Sequence, residues 1–215
     1  MTLAPARLYL VAPARLRAGS LAELVPELVH AGVGVIQLRE KEMEAGDVIR
    51  AAEPILAACR DADVPFVLND RPDVAAYLGA DGVHVGQNDL PVSMARRIVG
   101  TGIVGLSTHA RSEIDAAIAS NDPLDYLVAG PVHATPTKEG RPGTGLDLIS
   151  YAAERIRIPW FAIGGLDEHT LPYVIEAGAT RAVVVRAITE SDDPPGAARR
   201  LFELLSRLGP PTEPR

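Results

Sequence analysis

The chain has 215 residues, 47% hydrophobic and 23% charged, which suits one domain with a full core. A net charge of -7 argues against nucleic acid or an anionic membrane as partner, so an anionic ligand needs a local cationic site. The single cysteine, Cys59, excludes an internal disulfide and a cysteine metal cluster. Residues 1–7 lack the apolar core of a signal peptide and no run approaches the roughly 18 apolar residues of a membrane span, so the expected location is the cytoplasm.

Short apolar runs alternate with amphipathic stretches along the whole chain. Strands are predicted at 8–12, 33–38, 65–68, 82–85, 103–106, 126–129, 160–163 and 182–185. Helical patterns lie between and after them, at 20–30, 47–60, 72–78, 91–99, 111–119, 146–155, 168–177 and 195–208. Ser20 and Asp167 are predicted N-caps, because a side-chain oxygen there can accept the first free helical N–H groups. Cys59 is expected inside a buried helix face. Nearly all-apolar strands alternating with helices imply a parallel sheet covered by helices. Eight units of about 27 residues fit a single (β/α)8 TIM barrel. An open doubly wound sheet is the rival, but no glycine-rich dinucleotide loop follows the first strand. One domain is expected over residues 1–208, with a disordered tail at 209–215.

Several of these strands end in a knot of polar residues. In a barrel such ends share one rim, where the chemistry sits. After the second strand comes Gln37-Leu38-Arg39-Glu40-Lys41, whose alternation puts Gln37, Arg39 and Lys41 on one side. Three side chains with donors pointing one way suit a polyanion. The plainer alternative is a strand end emerging into solvent, with Glu40 pairing a cation. Asn69-Asp70 ends the third strand and Asp89 follows the fourth. Two carboxylates on adjacent strand ends point to an Mg²⁺ site that would also see substrate phosphates, although each could instead cap a helix. The 130–145 connection, with Thr135, Thr137 and Lys138, fits a phosphate-binding or closing loop. Gly164-Gly165 and Val185-Arg186 occupy the place where barrels hold a phosphate with backbone N–H groups. His84 reads as a buried, satisfied imidazole; His109 is left open between a catalytic and a structural role.

Taken in order, these motifs resemble the thiamine-phosphate synthase family from about Leu8 to Leu205. The matching stretches are 37–41, Asn69-Asp70, 82–91, Gly105-Leu106-Ser107-Thr108-His109, Gly130-Pro131 with 135–138, and 163–165. The resemblance implies a (β/α)8 transferase that joins a hydroxymethylpyrimidine diphosphate to a thiazole phosphate with Mg²⁺, releasing pyrophosphate. Carried onto this chain, it implies that Gln37, Arg39, Lys41, Asn69 and Lys138 hold the pyrimidine diphosphate, with Ser107 beside it. Arg39, Lys41, Lys138 and Ser107 are the expected catalytic groups. Asp70 and Asp89 would ligate Mg²⁺, and Thr135, Thr137, Gly165, Val185 and Arg186 would hold the thiazole phosphate. Two departures are visible: Arg186 where many members carry serine, and His133 where a bulkier apolar or aromatic residue is common. The alternatives are a thiazole tautomerase of the same fold, with His109 as base, and a phosphate-ligand sensor without catalysis. The expected partners are small molecules, and a homo-oligomer is left open.

Overall fold

The computed structural model describes residues 3–120, 122–134 and 143–207. The predicted tail at 209–215 and the loop residues Thr135, Thr137 and Lys138 lie outside them. Eight parallel strands close into a barrel. In chain order they are β1 (Leu8–Ala12), β4 (Val33–Leu38), β5 (Phe66–Asn69), β6 (Gly82–Val85), β7 (Ile103–Thr108), β8 (Tyr126–Ala129), β9 (Trp160–Ile163) and β10 (Ala182–Val184). Closure comes from β1, which pairs with both β4 and β10. The expected barrel is therefore the observed one.

Alternation along the strands sorts the apolar residues into two cores. Leu8, Leu10, Ile36, Leu38 and Leu68 face outward beneath helices such as α1 (Leu21–His30) and α2 (Ala45–Asp61). Tyr9, Val35, Val67, Tyr126, Val128, Phe161 and Val183 fill the interior. There the rings of Tyr9, Tyr126 and Phe161 meet at centroid distances of 5.3–5.8 Å, edge-to-face or tilted, and plug the barrel. Gly105 on β7 stands opposite Tyr126 on β8, and a Cβ at Gly105 would overlap the Tyr126 ring. Glycine is thus the packing partner of that aromatic.

Some boundaries shift from the sequence reading. Residues 15–16 and 19–20 form a two-stranded antiparallel hairpin, β2 and β3, after β1. Strand β7 runs two residues further, to Thr108. A short helix, α8 (Arg186–Thr189), follows β10. Ser20 occupies the N-cap position of α1 but makes no side-chain capping bond. Asp167 caps a turn rather than a helix: Oδ1 accepts from the N–H groups of His169 and Thr170, which delays α7 to Leu171–Glu176. Cys59 lies wholly buried on α2, where burial pushes its thiol up to about 12.

Candidate active site

Two adjoining cavities open at the C-terminal ends of the strands. The larger, about 370 Å³, is lined by Gln37, Arg39 and Lys41 from β4 and the residues just beyond it, by Asn69 and Asp70, by Asp89, and by Ser107. The alternation that predicted one shared face for Gln37, Arg39 and Lys41 is seen in the fold. The smaller, about 270 Å³, is lined by Gly164, Gly165, Val185 and Arg186. Ile163, Val183 and Val185 belong to both walls.

At the β4 tip, the Glu40 Oε1 accepts the Ala14 N–H at 2.7 Å, fixing the neighbouring β1 loop. Glu40 is thus engaged by backbone, and Arg39 and Lys41 are turned to the cavity. Lys41 Nζ lies 3.7 Å from Asp70 Oδ2. Gln37 lines the cavity and is also tied to the barrel interior. One Nε2 N–H donates to Tyr9 Oη at 2.6 Å, which anchors the nitrogen and thereby fixes where the amide oxygen lies; the second N–H and the oxygen remain for other partners.

Asp70 is held in the left-handed region, φ 61°, which a non-glycine residue visits only under constraint. The constraint is visible in the backbone: Asp70 N–H donates to His84 C=O at 2.8 Å, and Arg71 N–H donates back to Asn69 C=O at 2.8 Å. That turn sets the Asp70 carboxyl beside Asp89, whose Oδ2 accepts the Gly86 N–H at 2.7 Å. Neither carboxylate caps a helix, since the N-cap positions that follow are Arg71 and Pro91. Burial, then the hydrogen bond and negative charge of Asp89, push the Asp70 carboxyl up to about 6, against the opposing pull of Lys41 and Arg39.

A carboxylate whose ionisation is opposed by a second one facing it is chemically suited to a cation shared between the two. Among the described residues no group of three or more His, Cys, Asp or Glu could hold a metal. Two carboxylates beside cationic groups fit Mg²⁺, which keeps several waters and draws further oxygens from phosphates.

The same crowding of charge gives a stability prediction. In the folded protein Asp70 binds its proton up to pH about 6, whereas an unfolded aspartate releases it near 3.9. Ionised Asp70 therefore costs the metal-free fold stability; the cost is absent below about pH 4 and complete above about pH 6. Because Asp70 is partly exposed, the full shift is discounted to about 1 kcal/mol. Asp70→Asn, which keeps the shape and tolerates positive φ, should raise Tm in EDTA at pH 7 by about 2–4 °C. The gain should vanish near pH 4 in a thermal melt series.

Deeper in the cavity, Tyr9, His84, Gln87 and Ser107 contribute. His84 Nδ1 lies 3.0 Å from Tyr126 Oη, and Nε2 lies 2.9 Å from Ser107 Oγ. The imidazole is buried and bonded at both nitrogens, as expected. Gln87 Nε2 donates to Ser107 C=O at 2.7 Å. Tyr9, Tyr126 and Gln87 had no sequence signal as site residues: the tyrosines sit in apolar runs, and Gln87 in a turn. Burial pushes both phenols well above their ordinary value, so they remain protonated donors. His109 lines the cavity and its Nδ1 donates to Gly130 C=O, while its N–H donates to Glu113.

In the smaller cavity Gly164 and Gly165 have φ 112° and 65°, and side chains there would crowd Pro131 and His133. Arg186 is exposed at the start of α8. His133 stands beside Gly165, where an added Cβ would lie 2.8 Å from the His133 Cβ, and it is not among the residues lining either cavity.

Residues 8–188 match the family model described as thiamine monophosphate synthase. A thiamine-phosphate synthase from Acidothermus cellulolyticus is 47% identical over 209 residues, covering 96% of this chain and 97% of the relative. One from Thermus thermophilus is 54% identical over 175 residues, 81% of this chain and 84% of the relative. Among solved structures, a thiamine phosphate pyrophosphorylase from Pyrococcus furiosus superposes with a TM-score of 0.85 at 28% identity, over 96% of this chain and 98% of that one. On this footing, the chain belongs to the thiamine monophosphate synthase family.

Proposed function

We propose that this enzyme condenses 4-amino-2-methyl-5-(diphosphooxymethyl)pyrimidine with a thiazole phosphate, giving thiamine phosphate and pyrophosphate. The observation that carries this reading is the convergence of Arg39, Lys41, Asp70 and Asp89 on one cavity that adjoins a second, glycine-walled one. Two linked sites of this kind suit two phosphorylated substrates. A tautomerase would have little use for the carboxylate pair and the cations together, and the relatives reported above are named as synthases and a pyrophosphorylase.

In this reading the diphosphate leaves a benzylic-type carbon, and the amino-substituted ring stabilises the resulting methylene cation. The thiazole nitrogen then captures it. No protein nucleophile is required; positioning and charge neutralisation are the task. Arg39 and Lys41, with Lys138 from the loop, hold the departing diphosphate, and Asn69 and Ser107 flank it. Gly165 and the Val185-Arg186 backbone, with Thr135 and Thr137, receive the thiazole phosphate. Held by Asp70 and Asp89, Mg²⁺ would supply further neutralisation of diphosphate oxygens. No helix among the described residues is long and apolar enough to cross a membrane, and we place the reaction in the cytoplasm.

The test is direct. Purified protein with both substrates and Mg²⁺ should release thiamine phosphate and pyrophosphate in equal amounts, and excess EDTA should abolish both. Undiminished turnover in EDTA would remove the metal role of Asp70 and Asp89.

A further inference from the structure

The floor of the larger cavity holds an unbroken chain of buried hydrogen bonds. Gln37 Nε2 donates to Tyr9 Oη, Tyr9 Oη lies 2.9 Å from Tyr126 Oη, and Tyr126 Oη meets His84 Nδ1. His84 Nε2 then meets Ser107 Oγ. The two tyrosines are wholly buried, and each has one proton to give. With Tyr9 accepting from Gln37, only one order spends both phenolic protons inside the chain: Tyr9 to Tyr126, and Tyr126 to His84 Nδ1. The reverse order would strand the Tyr9 proton in the core. His84 is then protonated at Nε2 and donates to Ser107 Oγ. What the chain fixes at the cavity is the position of the Gln37 amide oxygen, opposite its anchored nitrogen with the second N–H, at one end and the Ser107 hydroxyl proton at the other, and both residues line it.

We propose that Tyr9, Tyr126 and His84 are positioning residues that fix the hydrogen-bond polarity of the cavity floor, presenting an acceptor at Gln37 and a donor at Ser107. The inference rests on the synthase reading for its ligand. The Gln37 oxygen takes the exocyclic amino N–H of the pyrimidine, and the Ser107 proton meets a diphosphate oxygen. A 4-oxo pyrimidine brings a carbonyl against the Gln37 oxygen and is rejected, because a buried site built for a donor leaves both oxygens unpaired. Reversed polarity would be wrong twice, offering N–H groups to the amino group and a lone pair to the anion.

Two measurements test the relay. The first compares kcat/KM for the 4-amino substrate and its 4-oxo counterpart in the parent enzyme, Tyr9→Phe and Tyr126→Phe. The parent should prefer the amino compound by about 100-fold or more, the scale for a site that hydrogen-bonds a substrate group. In Tyr126→Phe the Tyr9 proton loses its acceptor and turns to Gln37, whose amide then inverts, so the preference should fall by about tenfold or more. A residue with a merely structural role would lower both rates in parallel, and an unchanged ratio overturns the proposal. The second measurement needs no substrate: ¹⁵N NMR of the ligand-free parent should find His84 protonated at Nε2 and bare at Nδ1. A proton at Nδ1 overturns the proposal even where a variant fails to fold. Absence of turnover with either pyrimidine, alongside the expected tautomer, would instead sink the synthase reading and leave the relay standing.

Discussion

Arg39→Ala should lower kcat/KM for the pyrimidine diphosphate by about 10²–10³, the scale seen when one preorganised donor to a developing anion is removed. Arg39 comes from the end of β4, lines the larger cavity and is turned inward by strand alternation. Its side chain is placed by the strand rather than by substrate, so little ordering remains to be done at the moment the diphosphate leaves. Arg39→Lys should recover only part of the loss, because a lysine gives a point charge where arginine gives a two-pronged donor. His109→Ala is the contrasting variant: its Nδ1 is tied to Gly130 C=O, and the loss should be much smaller. Steady-state kinetics on the three variants decides the matter. A reversed order, with His109 dominant, would favour proton-transfer chemistry over diphosphate departure.

Gly105→Ala should be the most damaging small substitution in the barrel interior. A methyl group there would overlap the Tyr126 ring, and that ring packs against Tyr9, Phe161 and His84. Relief requires shifting a fully buried aromatic, at a cost of about 3 kcal/mol at the upper end of overpacking. For a domain of this size that corresponds to a fall in Tm of about 6–12 °C. Activity per folded molecule should fall as well, since Tyr126 holds His84 and, through it, Ser107. Gly46→Ala is the control: Gly46 is exposed in the first turn of α2, and a Cβ would meet only the tip of Arg50 at 3.6 Å. It should gain a few tenths of a kcal/mol. Thermal melts of the two variants suffice.

The barrel was legible because each of its strands is a short apolar run buried on both faces, a pattern that survives without any knowledge of partners. The cationic knot at 37–41 was legible for a related reason, as the period of two assigns its members to a side. The fold adds what no local pattern can carry. Tyr9 and Tyr126 read as core residues, and they are, but their hydroxyls meet across 117 residues of chain. Gln37 reads as a donor to ligand in the sequence, whereas in the fold one of its two amide N–H groups is tied to Tyr9, a partner no local pattern names. The start of α7 was misplaced because Asp167 satisfies the N–H groups of a tight turn that mimics a helix start. The hairpin at 15–20 and the four-residue α8 are too short to impose a period at all.

Ile163, Val183 and Val185, the residues common to both cavities, carry only hydrocarbon side chains. An electrophile born at this junction finds no lone pair on those walls, and the imidazole of His84 has both nitrogens engaged. In the proposed reaction, which passes through a carbocation, self-alkylation therefore finds no side-chain target at the junction itself, and the incoming heterocycle meets the cation against a hydrocarbon wall.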